Sequence, residues 1–162
     1  MGSGCRMECP QCGYKFNRSE GVGFLFPMVY AETVEKAKKG KLGKEIKQFF
    51  EDHEDGAIDV SDVTLCCEDC GFLSTRMDLT MYLPKDGKPH KVENSNWSSA
   101  CTGEGLDYVM NSDLDEYYME YMKYPHKCKK CKGKMHIVKG NESLLCPKCK
   151  VAMEIKDIIL WD

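Results

Sequence analysis

Four Cys-x-x-Cys pairs punctuate the chain, at Cys9 and Cys12, Cys67 and Cys70, Cys128 and Cys131, and Cys146 and Cys149. In such a pair the backbone turns tightly enough for both thiolates to reach one ion, and two pairs supply the four sulfurs of a tetrahedral site. Four pairs make two sites. The chain has 162 residues, 42% hydrophobic and 30% charged, an ordinary balance for one globular domain or two small ones. Its cysteine-rich ends are nevertheless short and polar, and pieces of that size need a metal or disulfide staple. No run approaches the length of a membrane span, and the N-terminus lacks a basic segment followed by an apolar stretch and a cleavage site. The expected location is therefore cytoplasmic, with no membrane association. In a reducing compartment, paired Cys-x-x-Cys among eleven cysteines reads as metal ligation before it reads as a disulfide framework.

Spacing along the chain suggests how the pairs combine. Cys128, Cys131, Cys146 and Cys149 flank a gap of fourteen residues, close to the usual range for one four-cysteine site. Cys9, Cys12, Cys67 and Cys70 would form the other site, with residues 13 to 66 inserted between the two knuckles. Cys66 competes with Cys67 as a ligand there, in a Cys66-x3-Cys70 arrangement. All-cysteine coordination fills the tetrahedron and leaves no position for water or substrate, so both sites read as structural. His126 and His136 lie near the second site as surface or supporting residues. Cys5 and Cys101 read as free thiols, and no Ser-His-Asp, Cys-His or phosphate-loop pattern accompanies them. The Gly21-Val-Gly23 stretch lacks the rest of a dinucleotide fingerprint and reads as a loop. Thioredoxin-like redox chemistry needs one Cys-x-x-Cys at a helix start within a βαβ pattern, which the chain does not offer.

The insert has a helical pattern over about residues 24 to 53. Pro27 suits a first turn, Tyr30, Val34 and Ala37 make a stripe, and Gly40 ends the first helix. Leu42, Ile46, Phe49 and Phe50 mark a second helix from about Lys41 to His53. Ile58 and Val60, then Val63 and Leu65, alternate with polar residues on either side of a Ser61-Asp62 step as a bent strand, and Leu73 to Leu83 alternates as a single longer one, ended by Pro84-Lys-Asp-Gly87. Residues 88 to 105 read as linker, with Trp97 as an anchor. Leu106 to Met122, led by Asn111-Ser-Asp and carrying Leu114, Tyr117, Tyr118 and Tyr121, reads as a capped short helix. The last two cysteine pairs flank a hairpin carrying Met135, Ile137, Leu144 and Leu145 around Gly140-Asn141, and Val151 to Trp161 reads as a final strand or docked tail. Asn141 also begins an Asn-x-Ser match, without meaning in a cytoplasmic protein. The opening Met1-Gly-Ser-Gly is assigned no structural weight. These readings give a small α+β protein with boundaries at 5–87, a linker at 88–105, and 106–162.

Net charge is only −3, but Lys123 to Lys150 holds nine lysines against the single acid Glu142. Two accounts fit. Ammonium groups offset the −2 charge of a zinc bound by four thiolates, or they meet the phosphates of a nucleic acid, with Tyr117, Tyr118, Tyr121 and Tyr124 as stacking surfaces.

Cys9-Pro-Gln-Cys-Gly-Tyr and Cys146-Pro-Lys-Cys resemble the knuckles of the zinc-ribbon, or rubredoxin-like, superfamily. With Gly-Val-Gly-Phe-Leu-Phe-Pro after the first knuckle and the terminal Ile-Leu-Trp-Asp, the layout looks like uncharacterised bacterial double zinc-ribbon proteins. The resemblance implies two zinc ribbons built on short antiparallel hairpins, the first interrupted by the helical hairpin, and two zinc ions per chain. It also raises iron as the alternative metal, in a rubredoxin-like electron-transfer role. The expected function is a non-enzymatic binding or adaptor module for a protein, or for nucleic acid through the basic C-terminal ribbon; the sequence sets no oligomeric state.

Overall fold

The computed structural model describes residues 2–95, 105–140 and 142–161. Trp97, Cys101 and Asn141 lie outside these residues. The elements in chain order are β1 (Gly2–Glu8), β2 (Lys15–Gly21), α1 (Phe26–Lys38), α2 (Lys44–Asp52), β3 (Ala57–Ile58), β4 (Asp62–Cys67), β5 (Leu73–Met77), β6 (Met81–Pro84), β7 (Val92–Ser95), β8 (Leu106–Tyr108), α3 (Asn111–Tyr117), β9 (Tyr118–Met122), β10 (Met135–Ile137) and β11 (Glu154–Trp161). All strand pairings among the described residues are antiparallel, so the fold is small α+β.

The chain does not divide at a linker near residue 88. It crosses repeatedly between two compact units, one made of Met1–Gly23, Ser61–Asp78 and Pro125–Asp162, the other of Phe24–Val60 and Leu79–Tyr124. The crossings explain two misread strands. Ile58 to Leu65 is split into β3 and β4, which belong to different sheets, and Leu73 to Leu83 is split into β5 and β6. The second split keeps the alternation of odd-numbered residues from Leu73 to Leu83, so periodicity alone cannot reveal it, whereas the first falls at Ser61-Asp62, where the apolar phase shifts from Ile58 and Val60 to Val63 and Leu65. The second break is made by Leu79, a buried residue held at φ 61, a region that bulky side chains seldom enter.

The first unit is a sheet in the order β10-β4-β2-β1-β11, with β5 also paired to β4. Gly2 to Gly4, discounted in the sequence, lie inside β1 between two neighbours: Gly2 faces Gly21 on β2 and Trp161 on β11. The Val151 to Trp161 tail is the edge strand β11. The hairpin expected between Met135 and Leu145 is not formed, because β10 pairs with β4, Met135 opposite Cys67 and Ile137 opposite Leu65. Two apolar clusters sit in this unit. One gathers Cys5, Met7, Cys9, Leu73, Val138, Leu144, Cys146 and Met153, and the other Leu65, Cys67, Cys128 and Met135.

The second unit carries the helical hairpin where the sequence pattern puts it. Pro27 lies in the first turn of α1, where its missing N–H costs nothing, and Gly40 at φ 74 follows its end. Tyr30 and Ala37 are buried, as are Ile46, Phe49 and Phe50 of α2. The exposed face of α1 carries the i,i+4 pairs Lys36 with Glu32 and Lys39 with Glu35. The expected 106–122 helix is instead β8, a two-turn α3 and β9. Tyr118 to Met122 pairs with β6, as its aromatic and apolar residues favour, and only Tyr118 of that strand is buried. Asn111 does not cap α3: Met110 holds the cap position without a side-chain hydrogen bond. The span expected to be linker contains β7, which pairs with β8 just beyond it.

Candidate metal centres

Each Cys-x-x-Cys closes the tip of a hairpin, and the four tips share one hydrogen-bond scheme. The first cysteine accepts at its carbonyl from the N–H four residues on: Gly13 to Cys9 at 3.0 Å, Gly71 to Cys67 at 3.0 Å, Lys132 to Cys128 at 3.0 Å, and Lys150 to Cys146 at 2.9 Å. Its own N–H donates to the carbonyl five residues on, at Tyr14, Phe72, Gly133 and Val151. The flanking residues pair across the tip: Glu8 with Lys15, Cys66 with Leu73, Lys127 with Lys134, and Leu145 with Ala152. This closure turns both sulfurs of a pair to one side. It also requires a left-handed backbone after the second cysteine, with φ 67 at Gly13, 71 at Gly71, 66 at Lys132 and 63 at Lys150. Glycine meets that demand without strain in the first two knuckles, whereas lysine bears it in the last two.

The sheet then brings the tips together in pairs. β1 runs into the Cys9 knuckle and β11 leaves the Cys146 knuckle, and their register sets Glu8 against Glu154. β4 runs into the Cys67 knuckle while β10 leaves the Cys128 knuckle. The result is two tetrads, Cys9 with Cys12, Cys146 and Cys149, and Cys67 with Cys70, Cys128 and Cys131, each with its sulfurs within 4.8 Å of one another. All eight expected ligands are therefore brought together, but the pairing read from spacing is corrected: the outermost knuckles join each other and enclose the inner two. Loop length does not oppose this. Closure entropy grows only as the logarithm of length, so the 134-residue separation of Cys12 and Cys146 costs about 2 kcal/mol more than a gap of about 15 residues. Metal binding at a structural thiolate site is worth about 10–16 kcal/mol, and strand register decides the partners.

A pairing signal was present in the knuckles themselves. Cys9-Pro-Gln-Cys and Cys146-Pro-Lys-Cys share a form, while Cys67-Glu-Asp-Cys is acidic and Cys128-Lys-Lys-Cys is basic. In the structure Glu68 is met by Lys134, three residues beyond the basic knuckle, with Lys134 Nζ 3.5 Å from Glu68 and the Glu68 N–H donating to the Lys134 carbonyl at 3.0 Å. Gly133 leaves room for Asp69, whose carboxylate would overlap any Cβ at that position.

Sulfur separations across the knuckles are 3.3 Å for Cys9 to Cys149, 3.5 Å for Cys12 to Cys146, 3.4 Å for Cys67 to Cys131 and 3.8 Å for Cys70 to Cys128. A tetrahedron with metal–sulfur bonds of about 2.3 Å has edges of about 3.8 Å, so each tetrad fits a four-coordinate ion. The ten described cysteines are unbridged by disulfides. Proton affinities within each tetrad are split. Burial opposes ionisation of Cys128, but backbone N–H groups of Cys131 and Lys130 outweigh it and hold the thiol at about 6; Cys146 is lowered to about 6 against its own burial by the N–H groups of Cys149 and Lys148. In contrast, Cys131 is pushed up to about 12, where an N–H from Gly133 is outweighed by the sulfurs of Cys67 and Cys70, and Cys149 likewise rises to about 12 beside Cys9 despite the Val151 N–H. Four sulfurs this close do not all ionise together without a cation between them, and a divalent ion removes the conflict.

The first cysteine of every knuckle is buried, whereas Cys12 and Cys131 are exposed. Each centre therefore sits at the rim, fixed from below and open above. Cys66 stands outside both tetrads, its thiol pKa raised by burial and by neighbouring Cys67, so Cys67 rather than Cys66 belongs to the inner tetrad. Cys5 is buried in the core of the first unit and joins neither tetrad. His126 is also buried and shares a 2.7 Å hydrogen bond with the Asp78 carbonyl, while His136 lies 3.6 Å from Glu142. Burial lowers the pKa of His126 and favours its neutral ring. Among the described residues, no helix is long and apolar enough to cross a membrane. No family model matches the chain, and comparison with curated proteins and with solved structures likewise returned no match.

Proposed function

We propose that the chain is a cytoplasmic zinc protein with two structural four-cysteine centres of zinc-ribbon type, acting as a binding or adaptor module rather than an enzyme. The observation that carries this reading is the closure of both tetrads by eight sulfurs at tetrahedral spacing. Zinc so bound has no vacant position for substrate, and its contribution is folding energy. The knuckles are then rigid platforms. Around them Lys127, Lys129, Lys130, Lys132, Lys134, Lys148 and Lys150 are exposed, a basic surface suited to nucleic acid phosphates or an acidic protein segment.

Metal analysis of protein purified without added metal tests the first part. Two zinc ions per chain are expected; iron in either centre would replace the adaptor reading with rubredoxin-like electron transfer. Retention on single-stranded RNA or DNA at low salt tests the partner. Binding that weakens with salt and is lost on combining Lys129→Glu, Lys130→Glu and Lys132→Glu supports nucleic acid, and no binding at low salt leaves a protein partner as the reading.

A further inference from the structure

The two tetrads share a seam. Lys150, which follows Cys149 in the outer tetrad, extends its Nζ to 3.3 Å from the carbonyl of Cys70 in the inner one. Beneath that ammonium lies Gly71, where a Cβ would come within 2.8 Å of Lys150 Nζ and 3.9 Å of Pro147 Cα, so the two knuckles nearly touch. Leu73, six residues beyond Cys67, is buried in the same cluster as Cys9 and Cys146, and Cys66 packs against it. Lysine at position 150 also tolerates φ 63, where glycine serves the first two knuckles without strain.

We propose that Lys150 is a positioning residue that couples the two centres, so that metal in one tetrad raises the affinity of the other. The bond needs both knuckles in place. An ion at Cys146 and Cys149 fixes the backbone that carries Lys150, and an ion at Cys67 and Cys70 fixes the carbonyl that receives it. Ordering either end reduces what must still be ordered at the other, and the coupling is reciprocal by linkage. This inference rests on the metal occupancy proposed above, but adds that the sites do not fill independently.

The test uses the full chain and cobalt(II), whose tetrahedral thiolate complexes absorb in the visible, titrated against a competing chelator. Outer-tetrad affinity is measured with the inner tetrad intact and with it disabled by Cys70→Ala and Cys131→Ala. Disabling the inner site is expected to weaken the outer one at least fivefold in the otherwise unmodified chain, less than twofold in Lys150→Met, and again about fivefold in Lys150→Arg, which retains a donor. Equal losses in all three backgrounds overturn the coupling through Lys150 while leaving the metal reading intact, and failure of either tetrad to take metal overturns both. Should the cysteine variants not fold, chelator-driven release from chains with every cysteine present decides the question. The unmodified chain and Lys150→Arg are expected to lose both ions in one phase and Lys150→Met in two, and indistinguishable time courses overturn the proposal.

Discussion

The residue after each second cysteine shows how one backbone demand is met by two side-chain types. Gly13 at φ 67 has open space where a Cβ would stand, so Gly13→Ala tests backbone strain without a steric clash. Holding a side chain in this region costs about 1 kcal/mol or somewhat more. Denaturant unfolding of the metal-loaded protein should therefore show Gly13→Ala destabilised by about 1 kcal/mol. Lys132→Gly should shift stability by less than about 1 kcal/mol, because relief of strain at φ 66 offsets the added freedom of the unfolded chain. Equal losses for both substitutions would contradict the strain account.

At the scale of elements, the region from Leu106 to Met122 separates what pattern conveys from what context decides. Tyr117, Tyr118 and Tyr121 lie on one face if the segment is helical, all supporting the core. As strand β9, the segment buries Tyr118 at 2% exposure and leaves Met119 at 54%. Tyr118 also accepts a hydrogen bond at its hydroxyl from the His90 N–H at 2.9 Å. Tyr118→Ala should cost about 3–5 kcal/mol in unfolding free energy, the range for a large buried aromatic, whereas Met119→Ala should cost under about 1 kcal/mol. Comparable losses at both positions would fit neither side of the strand. The helical hairpin was legible because Ile46, Phe49 and Phe50 repeat at helical spacing between a glycine and a polar stretch, and those residues are the ones buried. The strand break at Leu79 was not legible, whereas the one at Ser61 lies where the apolar alternation shifts phase and shows in the sequence only as a bend. A chain that leaves one sheet and enters another can keep an unbroken alternation, since each sheet has its own buried face.

At the scale of the whole molecule, the cysteines were legible as ligands but their partners were not, for a reason rooted in polymer physics. Separation along the chain looks decisive in a sequence, yet a doubling of loop length costs only about 0.6 kcal/mol. The pairing of β1 with β11 brings together knuckles whose cysteines lie up to 140 residues apart, and that register outweighs the loop term. The shared Cys-Pro-x-Cys form of the first and last knuckles was the better guide, because those two knuckles come together in one tetrad. Nested closure makes a prediction that sequential closure reverses. Cys12→Ala combined with Cys149→Ala removes two sulfurs from one tetrad, so the chain should retain one tightly held metal after a chelator wash. Cys12→Ala combined with Cys70→Ala removes one sulfur from each tetrad, so both metals should be lost or greatly weakened. If the knuckles closed in sequence order, the first pair of changes would empty both centres and the second would spare one. Elemental analysis of the two double variants therefore distinguishes the topologies by stoichiometry alone. One retained metal in the first variant and none in the second would also mean that the ends of the chain are joined through an ion, so that chelation should release β1 and β11 together as the outer layer of the first unit opens.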